Sequence, residues 1–229
     1  MSNDLDTLQI VRELLGGAKE EPPNEFAAIA RTLVQDRDAA FQRALRDKSD
    51  SSTRELIRAT FVAIEGMLWQ LKMNVLQDPE KVAKLTIHEQ AALLEESYMV
   101  NEQGAVRAQP RFLPTLASIK LVARVLHKSQ SEFTLDFSQQ IWEYIIEAVG
   151  VRNRITHPKR LEDLRVTNTD TALCEIAFLW FTAFTLFVLE AHKVNWSDIE
   201  ERLVSKPEAR SFFRLTKTAS ATEPSDAAN

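Results

Sequence analysis

Cysteine, glycine and net positive charge are what this sequence has least of. Cys174 is the only cysteine in 229 residues, so no intrachain disulfide can form, a cysteine-rich zinc site is excluded, and a reducing, cytoplasmic compartment is the natural expectation. Five glycines stand against twelve phenylalanines and 27% charged residues, a balance that favours helices over a turn-rich β architecture. With 45% hydrophobic residues a packed core is within reach, and the expected class is all-α. The net charge of −5 argues against nucleic-acid binding by overall attraction and leaves room only for a local basic patch.

Long hydrophobic runs are also missing. The most apolar stretch, I-A-F-L-W-F-T-A-F-T-L-F-V-L over 176–189, is closed by Glu175 and Glu190. It falls short of the about 20 residues that cross a hydrocarbon core, so a buried central helix is expected and no membrane partner. The first residues, M-S-N-D-L-D-T-L-Q-I, lack a basic region followed by an apolar one, and no secretory signal is expected. There is no H-x-x-x-H pair, no P-loop and no G-x-G-x-x-G, so neither a metal site, a cofactor nor a nucleotide-hydrolysing engine is expected.

What is present is a series of helix start and stop signals. An amphipathic helix from about Asp4 to Leu15 ends at Gly16-Gly17, and Pro22-Pro23-Asn24 opens a second, Glu25 to about Asp47. Ser52 with Glu55 reads as a capping box for a third helix, whose Ile57, Phe61, Ile64, Leu68, Leu71 and Val75 draw one apolar stripe. Arg58, Glu65 and Lys72 recur every seven residues beside that stripe as a charged flank, with Glu65 able to reach a site at a dimer seam. Thr86 with Glu89 starts a short helix through about Glu96, and the Gly-centred stretch 98–109 predicts a small hairpin or ordered loop. A fifth helix follows Pro114 to about Lys128; a sixth is capped by Asp136 with Gln139; a seventh starts near Asn168 or Asp170 and holds the apolar run; Ser197 and Glu200 mark a last short one. The expected organisation is a helical extension over 1–50 packed on the core, a helical domain over 51–205, and a polar, flexible tail over 206–229.

Chemistry concentrates in G-V-R-N-R-I-T-H-P-K, residues 150–159. The apolar seam of the sixth helix, Ile141, Ile145, Ala148 and Ile155, has the same four-three spacing that places Arg152 inward. A guanidinium there needs an anion or a wet interface, because burying it unpaired is costly. Pro158 pushes the residue before it out of the helical region, so the helix should end at or before Thr156 and leave His157 in an extended exit turn, free to swing back. Arginine is a fixed cation with a planar fork of donors for phosphate oxygens, and histidine moves protons near neutral pH. Together they suit metal-independent cleavage of RNA, the imidazole serving the 2′-hydroxyl or leaving oxygen and the guanidinium the charged phosphorane. Arg154, Lys159, Arg160 and Arg165 supply the local basic patch, diluted by Glu162 and Asp163. A structural alternative needs no ligand at all: basic residues suit the negative end of any helix.

R-N-R-I-T-H, residues 152–157, resembles the signature of the HEPN superfamily (higher eukaryotes and prokaryotes nucleotide-binding). R-A-T-F-V-A-I-E-G in the third helix, H-P-K after the motif, and D-L-R-V-T-N-T-D ahead of the apolar helix extend the likeness to bacterial members over roughly 52–193. The resemblance implies a HEPN-like helical bundle that dimerises with two motifs facing across a cleft, and a metal-independent endoribonuclease acting as a toxin or anti-phage effector. It implies Arg152 and His157 as catalytic, Asn153 as the polar residue beside the arginine, and Arg154, Lys159 and Arg160 as substrate contacts. RNA would be the substrate, a second copy the partner, and any antitoxin or sensor a separate protein. The alternative within the same family is a non-catalytic dimerisation or nucleotide-binding module that acts through a partner.

Other chemically able residues read as structural. His88 and His127 are expected at the surface, His192 beside Lys193 at a helix end, and Cys174 as a small core residue. Trp69, Trp142 and Trp180 are expected as packing anchors.

Overall fold

The computed structural model of the protein describes residues 25–129 and 135–190. Among these the chain is mostly helical, with one small two-stranded antiparallel sheet. The helix expected near Asp4–Leu15, the one at Ser197 and the tail from 206 lie outside the described residues.

Helix α1 (Glu25–Asp47) ends where Lys48 turns left-handed at φ 48°. Ser49 then extends the backbone and caps α2 (Asp50–Gln77). Its hydroxyl accepts from the Ser52 N–H at 3.2 Å while Ser52 Oγ accepts from the Ser49 N–H. The capping box therefore lies one turn before the expected Ser52–Glu55 pair, because the left-handed turn at Lys48 makes Ser49 the first residue able to cap. Glu55 instead pairs with Arg43 of α1. The stripe read from the sequence is buried throughout, from Ile57 to Val75.

Two short elements follow. Asp78 accepts from the N–H groups of Glu80 (3.0 Å) and Lys81 (3.3 Å) and caps α3 (Pro79–Val82), a turn that no apolar period announces. Thr86 and Glu89 form the expected box on α4 (Ile87–Leu93). This helix stops earlier than expected, because Glu95 takes φ 53° and β1 begins at Glu96. Strands β1 (Glu96–Val100) and β2 (Val106–Pro110) pair from Glu96↔Pro110 to Val100↔Val106, with Gly104 at φ 77° in the turn between them.

Helix α5 (Thr115–Ser129) leads towards α6 (Gln140–Thr156). Asp136 does not cap α6: its carboxylate accepts from Ser138, closing a separate turn, and α6 starts behind Gln139 without a side-chain cap. A 3-10 turn (Leu161–Leu164) precedes α7 (Asn168–Glu190), where Thr167 and Asp170 hydrogen-bond each other reciprocally.

The core gathers Ile57, Phe61 and Leu71 of α2, Ile119 and Val122 of α5, Ile145 and Ala148 of α6, and Phe178 and Phe181 of α7. Burial of α7 is not all-round, since Leu179 keeps 37% of its surface. The Trp142 and Trp180 rings meet at 5.9 Å, joining α6 to α7, whereas Trp69 is 39% exposed and its ring lies 5.8 Å from the buried Lys72 ammonium. At the α1–α7 contact Arg37, only 2% exposed, pairs with Glu175 and lies over the Phe41 and Phe178 rings. A guanidinium survives burial there because an anion and two π faces replace water. No helix among the described residues is long and apolar enough to cross a membrane.

Candidate functional site

The buried seam of α6 is Trp142, Ile145, Ala148, Val151 and Ile155. Val151 rather than Arg152 takes the inward place, and Arg152 lies on its border with 24% of its side chain exposed. This corrects the expected seam: three-residue steps through 142, 145, 148 and 151 rotate the apolar face away from position 152. The guanidinium still has the anion that its position demands. Arg152 Nη2 donates to Glu65 Oε1, and its Nη1 donates to Asn153 Oδ1 at 2.9 Å. Glu65 Oε1 also accepts from Thr115 Oγ1 at 2.8 Å.

Glu65 belongs to the charged column on α2, and each member of that column is tied to a residue beyond α2. Arg58 Nη2 donates to the Ile155 carbonyl at 3.1 Å, in the last turn of α6. Glu65 holds Arg152, and Lys72 pairs with Glu95. One turn before Arg58, Arg54 donates to the Leu164 carbonyl at 2.6 Å. A helix flank with a seven-residue repeat presents one side to a neighbour, so α2 sets the height and rotation of the motif helix.

Helix α6 ends at Thr156, as the position of Pro158 predicts. His157 leaves the helical region at φ −125°, ψ 60°, while its N–H still donates to the Asn153 carbonyl at 3.0 Å. Its side chain is exposed. Arg152 and Asn153 line a groove of about 620 Å³, whereas His157 is not among the lining residues. Within one chain the structure thus gathers Arg152, Asn153 and Glu65 and leaves His157 outside that group.

Arg154 is a clamp. Its Nη1 donates to the carbonyls of Asp163 (2.9 Å) and Arg165 (2.6 Å), and its Nη2 pairs with Asp170 at 3.0 Å. Those partners hold the 3-10 turn and the start of α7, so this guanidinium is committed within the chain. Lys159 and Arg160 are exposed. Their backbone N–H groups donate to Asp163 Oδ2 at 2.7 and 2.9 Å, which holds the Asp163 carboxyl below the usual carboxylate range. The turn after Pro158 is therefore ordered, and both basic side chains project from it.

No protein-family model, no curated protein and no solved structure matches this chain. Its residues alone carry the functional reading.

The groove runs between α2, the base of the hairpin, the start of α5 and α6. It is lined by Glu65, Lys72, Glu95 and Arg152 together with Trp69, Phe112 and Thr115, among others. The sequence marks Glu65 as a charged flank able to reach a site and Trp69 as a packing anchor, and it assigns no role to Glu95 or Phe112, since nothing local to them marks a groove. Cys174 is buried and burial pushes its thiol up to about 12, so it stays protonated in the core. His88 and His127 are exposed. No group of three or more His, Cys, Asp or Glu side chains that could hold a metal occurs among the described residues.

Proposed function

We propose that this chain is a metal-independent endoribonuclease of HEPN type, active as a homodimer and serving as a toxin or anti-phage effector controlled by a separate protein. The observation that carries the reading is the placement of the motif. Arg152 is oriented by Glu65 at a groove, and His157, released by Pro158, is exposed at the helix end. In this reading the guanidinium, whose five N–H donors are only partly engaged by Glu65 and Asn153, stabilises the charged phosphorane. The imidazole takes the proton of the attacking 2′-hydroxyl or returns one to the leaving oxygen. Lys159 and Arg160 contact flanking phosphates.

The exposed face of α6 carries Ile146, Gly150 and Asn153 at helical spacing, and the exposed His157 follows just past its end. A second copy seated there by two-fold symmetry would bring two His157 side chains together. The purified protein should cleave RNA in EDTA and leave 2′,3′-cyclic phosphate ends, and His157→Ala should abolish this. Undiminished cleavage by His157→Ala would remove the histidine from the mechanism.

A second reading, a non-catalytic dimerisation or nucleotide-binding module, has one observation in its favour: the Arg152–Glu65 pair neutralises the motif arginine within the chain. It expects no cleavage, and a loss of stability with no change in toxicity for Arg152→Ala.

A further inference from the structure

We propose that the groove bounded by α2, α5 and α6 is a subsite for one unpaired base of a single-stranded RNA. The identity of the ligand rests on the ribonuclease reading; the chemistry of the subsite is read from the groove itself. Its volume of about 620 Å³ suits a small planar ligand, within the range of about 300–1,000 Å³ typical of such sites.

Its charges are balanced by pairs built into the walls. Lys72 is 2% exposed and pairs with Glu95, and Arg152 pairs with Glu65. Beside Lys72 a phosphate would meet a cation already neutralised by Glu95, whereas Arg152 keeps donors not engaged by Glu65 and Asn153 for the reacting phosphate. A nucleobase carries no charge and presents amino and ring N–H donors that a carboxylate accepts, as Glu and Asp accept from base amino groups elsewhere. Oε1 of Glu65 is engaged by Thr115 and Arg152, which leaves its second oxygen for such a donor. Thr115, Ser118 and Asn153 add polar groups to the lining.

Two aromatic rings complete the site. Trp69 and Phe112 both line the groove, and Phe112 is 83% exposed, far more than a phenylalanine retains for packing alone. Phe112 is nevertheless positioned, because the N–H of its neighbour Arg111 donates to the Glu95 carbonyl at 2.6 Å. Glu95 itself sits at φ 53°, a left-handed conformation that costs a non-glycine residue energy and that clusters at ligand sites. Aromatic faces offered to solvent beside polar groups are how proteins take bases out of single strands. In a duplex the bases are stacked and paired, so the same groove would find nothing to receive.

The test uses the full-length chain and an uncleavable probe, a 2′-O-methyl hexanucleotide of mixed sequence, either single or annealed to its complement. Binding is read by fluorescence anisotropy and by tryptophan quenching. The single strand should bind at least about tenfold more tightly than the duplex. Phe112→Ala should weaken single-strand binding by about tenfold, in keeping with the loss of one base stack, and Trp69→Leu should weaken it similarly and remove most of the quenching. Circular dichroism and the thermal midpoint check that both variants fold. Equal binding of single strand and duplex, or unchanged affinity in both aromatic variants, would overturn the subsite. The ribonuclease reading fails separately, if His157→Ala cleaves RNA as fast as the wild type in EDTA.

Discussion

Arg152 and Arg154 stand two residues apart, and their surroundings give them opposite tasks. Arg152 faces a groove and keeps donors in reserve, whereas Arg154 is held by two carbonyls and Asp170. Hydrogen bonds made by a charged group contribute about 1.5–3 kcal/mol each at most, less where water screens them. Arg154→Ala should therefore lower the denaturant midpoint by an amount equivalent to about 2 kcal/mol, while Lys159→Ala, at an exposed position, leaves it within about 0.5 kcal/mol. Equal effects would mean that the clamp does not hold the turn in solution. Any loss of cleavage in Arg154→Ala should accompany its loss of stability.

At the scale of elements, caps and close approaches fix the helices that carry the groove. Lys128 of α5 and the Thr86 N–H both bind the Glu89 carboxylate, in that order of effect, and hold its pKa at about 2 instead of 4.5. A depressed carboxyl stabilises the fold above its unfolded pKa and loses that contribution as pH falls through the folded one. The stability difference between wild type and Glu89→Gln should thus be full above about pH 5 and shrink steadily towards pH 2; a difference independent of pH would remove the ion pair from the account. Helix α1 crosses α2 at Gly66, where an added Cβ would lie 2.4 Å from Leu33 Cδ1. In Gly66→Ala the half-buried Leu33 end can rotate aside, so the cost of that shift and the helix propensity of alanine, about 1 kcal/mol, should nearly offset each other and leave stability within about 0.5 kcal/mol. In a Leu33→Ala background the same change should become stabilising by up to about 1 kcal/mol, because only the helix propensity of alanine remains. Denaturant titrations of the four proteins test this crossing.

For the whole molecule, the two-fold reading makes its own demand. Ile146 is 43% exposed on the face of α6 that also bears Gly150 and Asn153, one helix end from His157. A charge placed in the middle of a self-complementary interface is repeated by symmetry and repels itself. Light scattering should find a dimer in the wild type and a monomer in Ile146→Asp, with cleavage lost and the circular dichroism unchanged. A wild type that is monomeric at tens of micromolar, yet fully active, would exclude a composite site.

How much of this was legible in the sequence varies with how local the cause is. The stop at Thr156 follows from Pro158 alone, and the Thr86–Glu89 box from two residues three apart. The end of helix α1 at Asp47 follows from its own pattern, and the α2 stripe from its period. Where two local signals competed, the sequence misled: Ser49 took the cap from Ser52 because Lys48 had already turned the chain, and Val151 took the seam from Arg152. The motif residues themselves were visible, but their division of labour was not. That Arg152 meets Glu65, that Arg154 is tied to the turn after Pro158, and that Phe112 and Trp69 share a groove are facts between elements distant in the chain. Backbone preference and hydrophobic period act over a few residues, so the sequence determined which stretches are helical and, at Pro158, where one stops. Charge pairing and exposure depend on which helix lies alongside which, and only the tertiary structure decided those.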